Sequence, residues 1–184
     1  MSKTPTPSSS QLLPDANVII EAHKLSVWDG VISRRRVIVP SIIMEHEALF
    51  YSKKEGGIPQ GINLKLLAEQ GRIERAEATV EEVLAMRAMF DRVFIDGLHA
   101  GESEALALVM NRPGDFLFCS GDKASICALA MLGFSHRGVS FSVVLEQLGL
   151  RKQLSVQFTE DFFREQIGQG QVNKIQGIGM ARER

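Results

Sequence analysis

At 184 residues, with 45% hydrophobic and 23% charged residues, the chain has the length and composition of one soluble globular domain with a real core. A net charge of −1 excludes a global basic field for nucleic acid, although a local patch suffices for such a partner. No run approaches the ~18 apolar residues of a membrane span, and no basic-then-apolar leader opens the chain. Its two cysteines, Cys119 and Cys127, lie in apolar surroundings, which excludes a disulfide framework and fits buried thiols in a reducing, cytoplasmic setting.

Residues 1–10 are small, polar and proline-containing, and are expected to form a flexible tail. Leu12-Leu13-Pro14 reads as a short buried strand that ends in the carboxylate of Asp15 and turns into a helix over Ala16–Lys24. His23 on that helix has no metal-site spacing around it and reads as a packing or surface residue. After Arg34-Arg35-Arg36, the run Val37-Ile38-Val39 predicts a second strand, stopped by Pro40. Ser41 is placed to cap a helix that carries Glu45 and Glu47 in its opening turns. Residues 51–62 collect Gly, Pro and Lys, as a long mobile loop would.

Leu64–Glu69 predicts a short helix, Arg72–Ala78 a strand, and Thr79–Phe90 a helix opened by a capping box. Gly101–Met110 is a strong helix former, stopped by Asn111-Arg112-Pro113-Gly114. On it Glu102 shares a stripe with Ala105, Leu106 and Val109, which need a sheet for burial. Glu104 lies about 200° away around the axis, so the two carboxylates face different ways. Glu102 is the preferred inward acid, and Glu104 is expected on the flank as a satisfied surface acid. Asp115–Cys119 is the clearest buried strand; Ser120-Gly121-Asp122 ends it, and Lys123–Leu132 forms the next helix, closed by Gly133. A short helix over Ser142–Leu148 completes a core of residues 11–150. Residues 151–184 form an extension with one helix, about Thr159–Gly168, and a loose tail.

Strands alternating with helices predict an α/β domain with a mostly parallel sheet, whose strand carboxyl ends share one edge. Asp15, Glu45, Glu102 and Asp122 converge there from four places in the sequence. Carboxylates gathered in this way repel unless a cation joins them. Hard oxygen donors without His or thiolate suit Mg2+ or Mn2+, ions commonly used to activate water against phosphodiesters. Asn17 and Ser120 are positioned to orient those carboxylates. Helix capping alone is the competing explanation for Asp15.

The segments LLPDANVII, VIVPSIIMEHEAL, GESEALALVM and FLFCSGDKA, in that order, resemble the PIN domain, a nuclease family; the resemblance covers roughly residues 11–149. It implies a three-layer α/β/α sandwich acting on RNA, single-stranded or structured. It also implies Asp15, Glu45, Glu102 or Glu104, and Asp122 as the acidic metal ligands, and makes Ser120 the match to a position usually Thr or Ser. Such a nuclease could serve as the toxin of a toxin–antitoxin pair, with an antitoxin protein or a second copy of the chain as partner, or in RNA processing and decay. Arg34, Arg35, Arg36, Lys53 and Lys54 are the expected contacts to RNA phosphates. Two other readings stand beside it: a non-catalytic PIN-like RNA-binding or scaffold protein, and another phosphate-handling α/β enzyme. A haloacid dehalogenase-type phosphatase would want a second Asp where Asn17 stands, and a receiver-like domain would want an early acidic pair that is missing.

Overall fold

The computed structural model describes residues 10–112, 114 and 116–181. Residues 1–9 of the expected tail, Pro113, Asp115 and residues 182–184 lie outside the described residues. Strand β1 (Gln11–Pro14) leads through Asp15 into helix α1 (Ala16–Lys24), followed by α2 (Trp28–Arg34) and β2 (Ile38–Pro40). A π-helical turn, Ile43–Glu47, precedes the hairpin β3 (Phe50–Tyr51) and β4 (Gln60–Gly61), which occupies the expected long loop. Then come α3 (Leu64–Glu69), β5 (Glu74–Ala76), α4 (Val80–Arg87), α5 (Arg92–Ile95) and α6 (Ala100–Asn111). The remainder is β6 (Phe116–Cys119), α7 (Lys123–Met131), α8 (Phe141–Gln147) and α9 (Glu160–Gln176), with short 3-10 turns at Ser135–Arg137 and Val156–Phe158.

The domain is mixed α/β with short parallel pairings. β1 pairs in parallel with β6, Leu13 opposite Phe118, and β2 pairs in parallel with β5, Val39 opposite Arg75. A single parallel bridge, Leu12 to Val37, joins the two pairs, and another joins Phe118 to Gly138. The resulting order is β5-β2-β1-β6, so Pro14, Pro40, Ala76 and Cys119 all end at one edge.

Strand residues alternate between two apolar clusters, as a pleat dictates. Leu12, Val37, Val39 and Cys119 pack with Val18, Trp28 and Phe141, from α1, α2 and α8. Leu13, Ile38 and Phe118 pack with Met86, Leu106 and Leu129, from α4, α6 and α7. Helices thus cover both faces of the strands, as parallel pairings require.

Local chemistry explains most boundaries. Thr79 and Glu82 form the expected capping box on α4, the Thr79 hydroxyl accepting from Glu82 N–H while Glu82 accepts from Thr79 N–H at 2.8 Å. Gly133, with φ +91°, ends the α7 segment in a conformation that a side chain rarely adopts. Ser41 does not cap its helix as expected; its hydroxyl donates to Glu104 at 2.6 Å.

The extension differs most from expectation. α9 runs on to Gln176, through both Gly168 and Gly170. Gly170 is required: a Cβ there would stand 2.5 Å from the Cys127 carbonyl oxygen, so α9 lies directly against the α7 backbone. The segment after α9 is not loose as far as Ala181. Asp91 N–H donates to Gly179 O at 2.9 Å, and Ala181 N–H to Met89 O at 3.0 Å, pinning it beside α5. No helix of the described residues is long and apolar enough to cross a membrane.

Candidate functional site

Three carboxylates meet where β1, β6 and the amino end of α6 come together. Asp15 directly follows β1 and is 1% exposed. Its Oδ1 accepts from Val18 N–H at 2.8 Å, capping α1, and its Oδ2 accepts from the Ser120 hydroxyl. Ser120 in turn accepts from Asp122 N–H at 2.9 Å, so the hydroxyl is fixed between the two acids. Asp122 caps α7 by accepting from Ser125 N–H at 2.9 Å. Glu102, also buried, reaches back within the first turn of α6 to accept from His99 N–H at 2.9 Å.

The positive ends of α1, α6 and α7 therefore face these carboxylates and offset part of their repulsion. Burial nevertheless dominates at Asp15. It lifts the carboxyl from the ordinary 3.8 to about 7, against the hydrogen bonds from Ser120 and Val18 that favour the ionised form; Glu102 and Asp122 push it further up. Glu102 is likewise raised, chiefly by burial and with a contribution from Asp122, against the stabilising His99 N–H.

All three acids offer hard oxygen; Glu102 and Asp122 disfavour ionisation of Asp15, and Asp122 disfavours that of Glu102. The buried Ser125 hydroxyl lies beside Glu102 and favours its ionised form. Buried hard oxygen donors that repel one another fit a cation of the Mg2+ or Mn2+ class. The carboxylates are electrostatically coupled without forming a closed coordination shell: among the described residues no three His, Cys, Asp or Glu side chains are grouped so as to hold a metal ion.

The fourth expected carboxylate is elsewhere. Glu45 pairs with Arg75 at 3.0 Å, and Arg75 also holds Glu77 at 2.9 Å. The reason is the π-turn, whose i→i+5 bond, Ala48 N–H to Ile43 O at 3.0 Å, inserts an extra residue and rotates the helix face. That rotation carries Glu47 instead to the amino end of α6, where it accepts from Gly101 N–H at 2.8 Å. Glu47 is thus the carboxylate that sequence reasoning passed over as a helix-end charge. The glycine at 101 was the available signal, since a Cβ there would meet the Glu47 carboxylate and stand 2.5 Å from Ile43 Cγ1.

Glu104 faces away from Glu102, as the helix phase requires, but it is not a surface acid. It is 2% exposed and accepts from Ser41 Oγ, from Ile42 N–H at 2.8 Å and from Ala78 N–H at 3.2 Å. It stitches α6 to the ends of β2 and β5. Asn17 is exposed on α1, and its side chain bonds to none of the carboxylates among the described residues.

The expected RNA-contacting residues are not gathered around Asp15. Arg34, Arg35 and Arg36 precede β2 and so lie at the opposite, amino-terminal edge of the strands. Arg34 donates to Leu148 O at 2.6 Å; buried Arg35 donates to Ser10 O at 3.1 Å and Gln147 Oε1 at 3.0 Å; Arg36 pairs with Glu74. Lys53 and Lys54 line a surface pocket of about 630 Å³ between the β3–β4 hairpin and α1 at Ile20 and Lys24. Those α1 positions are five and nine residues past Asp15, roughly 8 and 14 Å along the helix axis.

Set against protein-family models, curated proteins and solved structures, the chain matches none of them.

Proposed function

We propose that this chain is a metal-dependent endoribonuclease of PIN-like, three-layer α/β/α architecture, hydrolysing phosphodiester bonds at Asp15, Glu102 and Asp122. One observation carries the reading: three acids from separate elements are brought into one electrostatically coupled cluster, with Asp15 pushed up to about 7. Burial supplies most of that shift, and the neighbouring Glu102 and Asp122 add to it, which capping of α1 alone does not require. Helices on both sides of a β5-β2-β1-β6 array, with acids at the carboxyl edge, support the PIN-like assignment by arrangement.

Mg2+ or Mn2+, held by Asp15, Glu102 and Asp122, would supply charge neutralisation, activation of water and stabilisation of the leaving oxygen. The chain's own groups set the conditions for it. The Ser120 hydroxyl, locked by Asp122 N–H, points its proton at Asp15 and fixes the carboxylate plane. The first-turn N–H of His99 holds Glu102 inward. Burial keeps bulk water from screening the charges. Glu47, at the same end of α6, supports that helix start.

The second reading, a PIN-like RNA-binding or scaffold protein without catalysis, is favoured by one feature: both Asp15 oxygens already accept hydrogen bonds from the chain. Incubating the protein with single-stranded RNA, structured RNA and single-stranded DNA, in Mg2+, Mn2+ or chelator, separates the two. Cleavage of RNA that stops in chelator supports the nuclease; binding without cleavage in either metal supports the scaffold. A role as a toxin neutralised by an antitoxin protein, or in RNA processing, is part of the proposal that this assay leaves to the choice of RNA.

A further inference from the structure

A pocket of about 440 Å³ opens beside Asp122, between α5, α7 and α9. It is bounded by Phe94, Asp122, Lys123, Gln169 and Asn173, a mixture of one aromatic face, one carboxylate, one cation and two amides. We propose that it is a nucleobase subsite, seating an unpaired base of single-stranded RNA next to the bond to be cut, with α9 supplying the groups that read the base. The proposal rests on the nuclease reading for its substrate, but the pocket's chemistry is its own.

Each wall is held from behind. Phe94 stacks on Phe90, ring centroids 4.9 Å apart and planes 20° from parallel. Gly179 packs so closely against the Phe94 ring that a Cβ there would stand 2.9 Å from Cδ2. The chain after α9 thus braces the aromatic ring, leaving it half-buried and partly open to the pocket. α9 is fixed by the Gly170 contact with the Cys127 carbonyl and by the Cys127 thiol on Gln166 O at 3.4 Å.

The amides are pre-arranged as well. Gln169 Nε2 donates to Asn173 Oδ1 at 2.8 Å. Among the described residues this leaves Gln169 Oε1 as a free acceptor and Asn173 Nδ2 as a free donor, one turn apart on the same helix face. A donor beside an acceptor is what the Watson–Crick edge of an unpaired base presents. Lys123, exposed at the first position of α7, supplies the charge for a neighbouring phosphate. An aromatic face with adjacent amides and a cation is the chemistry of base stacking and edge reading on a single strand. A protein partner would need more apolar area than this small pocket offers.

The test uses the full chain in chelator, so that binding is read without cleavage. Fluorescently labelled short oligomers of U, C, A and G are titrated against the wild type and against Asn173→Ala, Gln169→Ala, Phe94→Leu and Phe94→Tyr. The wild type should discriminate among the four oligomers. Asn173→Ala and Gln169→Ala should compress that discrimination. Phe94→Leu should weaken all four about tenfold, as loss of one base–aromatic stack does, and Phe94→Tyr should restore it. Asn173 is half-buried on the outer helix, so its variant keeps the test valid should Phe94→Leu misfold. Unchanged discrimination in the folded α9 variants overturns the subsite and leaves the nuclease reading intact. Retained base discrimination in a wild type that cleaves nothing in Mg2+ or Mn2+ overturns the nuclease and leaves the subsite.

Discussion

Replacing Asp15 by Asn should stabilise the metal-free protein, and should do so increasingly as pH rises. In the folded chain the Asp15 carboxyl titrates at about 7, raised from 3.8 mainly by burial. Between those values the folded state holds a proton that the unfolded state has released. The stability this confers is therefore full below about pH 4, falls as pH rises and is gone above about pH 7. The gap, at ~1.4 kcal/mol per pH unit, amounts to ~4 kcal/mol, of which ~3 kcal/mol falls between about pH 5 and about pH 8. Asparagine imitates the protonated acid: its carbonyl keeps the Val18 N–H, and its amide can donate to Ser120 Oγ. Urea denaturation of both proteins in chelator, across that range, measures the effect. The variant's advantage should grow by ~3 kcal/mol toward the alkaline end, and added Mg2+ or Mn2+ should raise the wild type alone. Parallel pH profiles for the two proteins would refute the buried, coupled Asp15 on which the site is built.

Other substitutions separate chemistry from scaffolding. Glu102→Gln should depress metal-dependent cleavage with little loss of stability. Glu104→Gln, which weakens charge-assisted bonds to Ser41, Ile42 and Ala78, should lower stability by ~2 kcal/mol in thermal or urea unfolding; a larger catalytic loss at Glu104 would reverse the assignment. Gly101→Ala forces a methyl into the Glu47 carboxylate and Ile43, and should cost ~1–3 kcal/mol by the same measurement. Replacing Arg34, Arg35 and Arg36 together by Ala should destabilise the fold, through the lost Arg35 bonds to Ser10 and Gln147, while leaving the salt dependence of RNA binding unchanged; a flatter salt slope would restore them as phosphate contacts.

The strand-end acids were legible because they combine two local signals, a short apolar run and a capping carboxylate. Asp15 after Leu12-Leu13-Pro14 and Asp122 after Phe118-Cys119 both stand at the edge where those signals put them. Glu102 followed from the 3.6-residue period, since α6 is regular. The same period failed at Glu45, because a π-turn adds a residue and nothing in Ile43–Glu47 announces it. Glu104 was misjudged in burial, not direction: its partners, Ser41 and Ala78, are distant in sequence and invisible to periodicity. α2 and α5 escaped because Gly30 and a four-residue length leave no pattern to count. Gly168 and Gly170 read as a helix end, whereas tertiary contact with α7 makes Gly170 part of the helix. The arginine run gave charge without location; the parallel Leu12–Val37 bridge between β1 and the start of β2 shows which edge it occupies.

The most direct measurement is single-turnover cleavage of labelled single-stranded RNA in Mn2+ by the wild type and by Asp15→Asn, side by side. Groups that merely support a metal ligand change activity by ~10–100-fold, so loss of a ligand itself should cost at least about a hundredfold. The wild type should cleave RNA in a reaction that stops in chelator, and the folded variant should be slower by that factor or more. Equal cleavage by the two proteins, or none by either in Mg2+ or Mn2+, would contradict the nuclease reading.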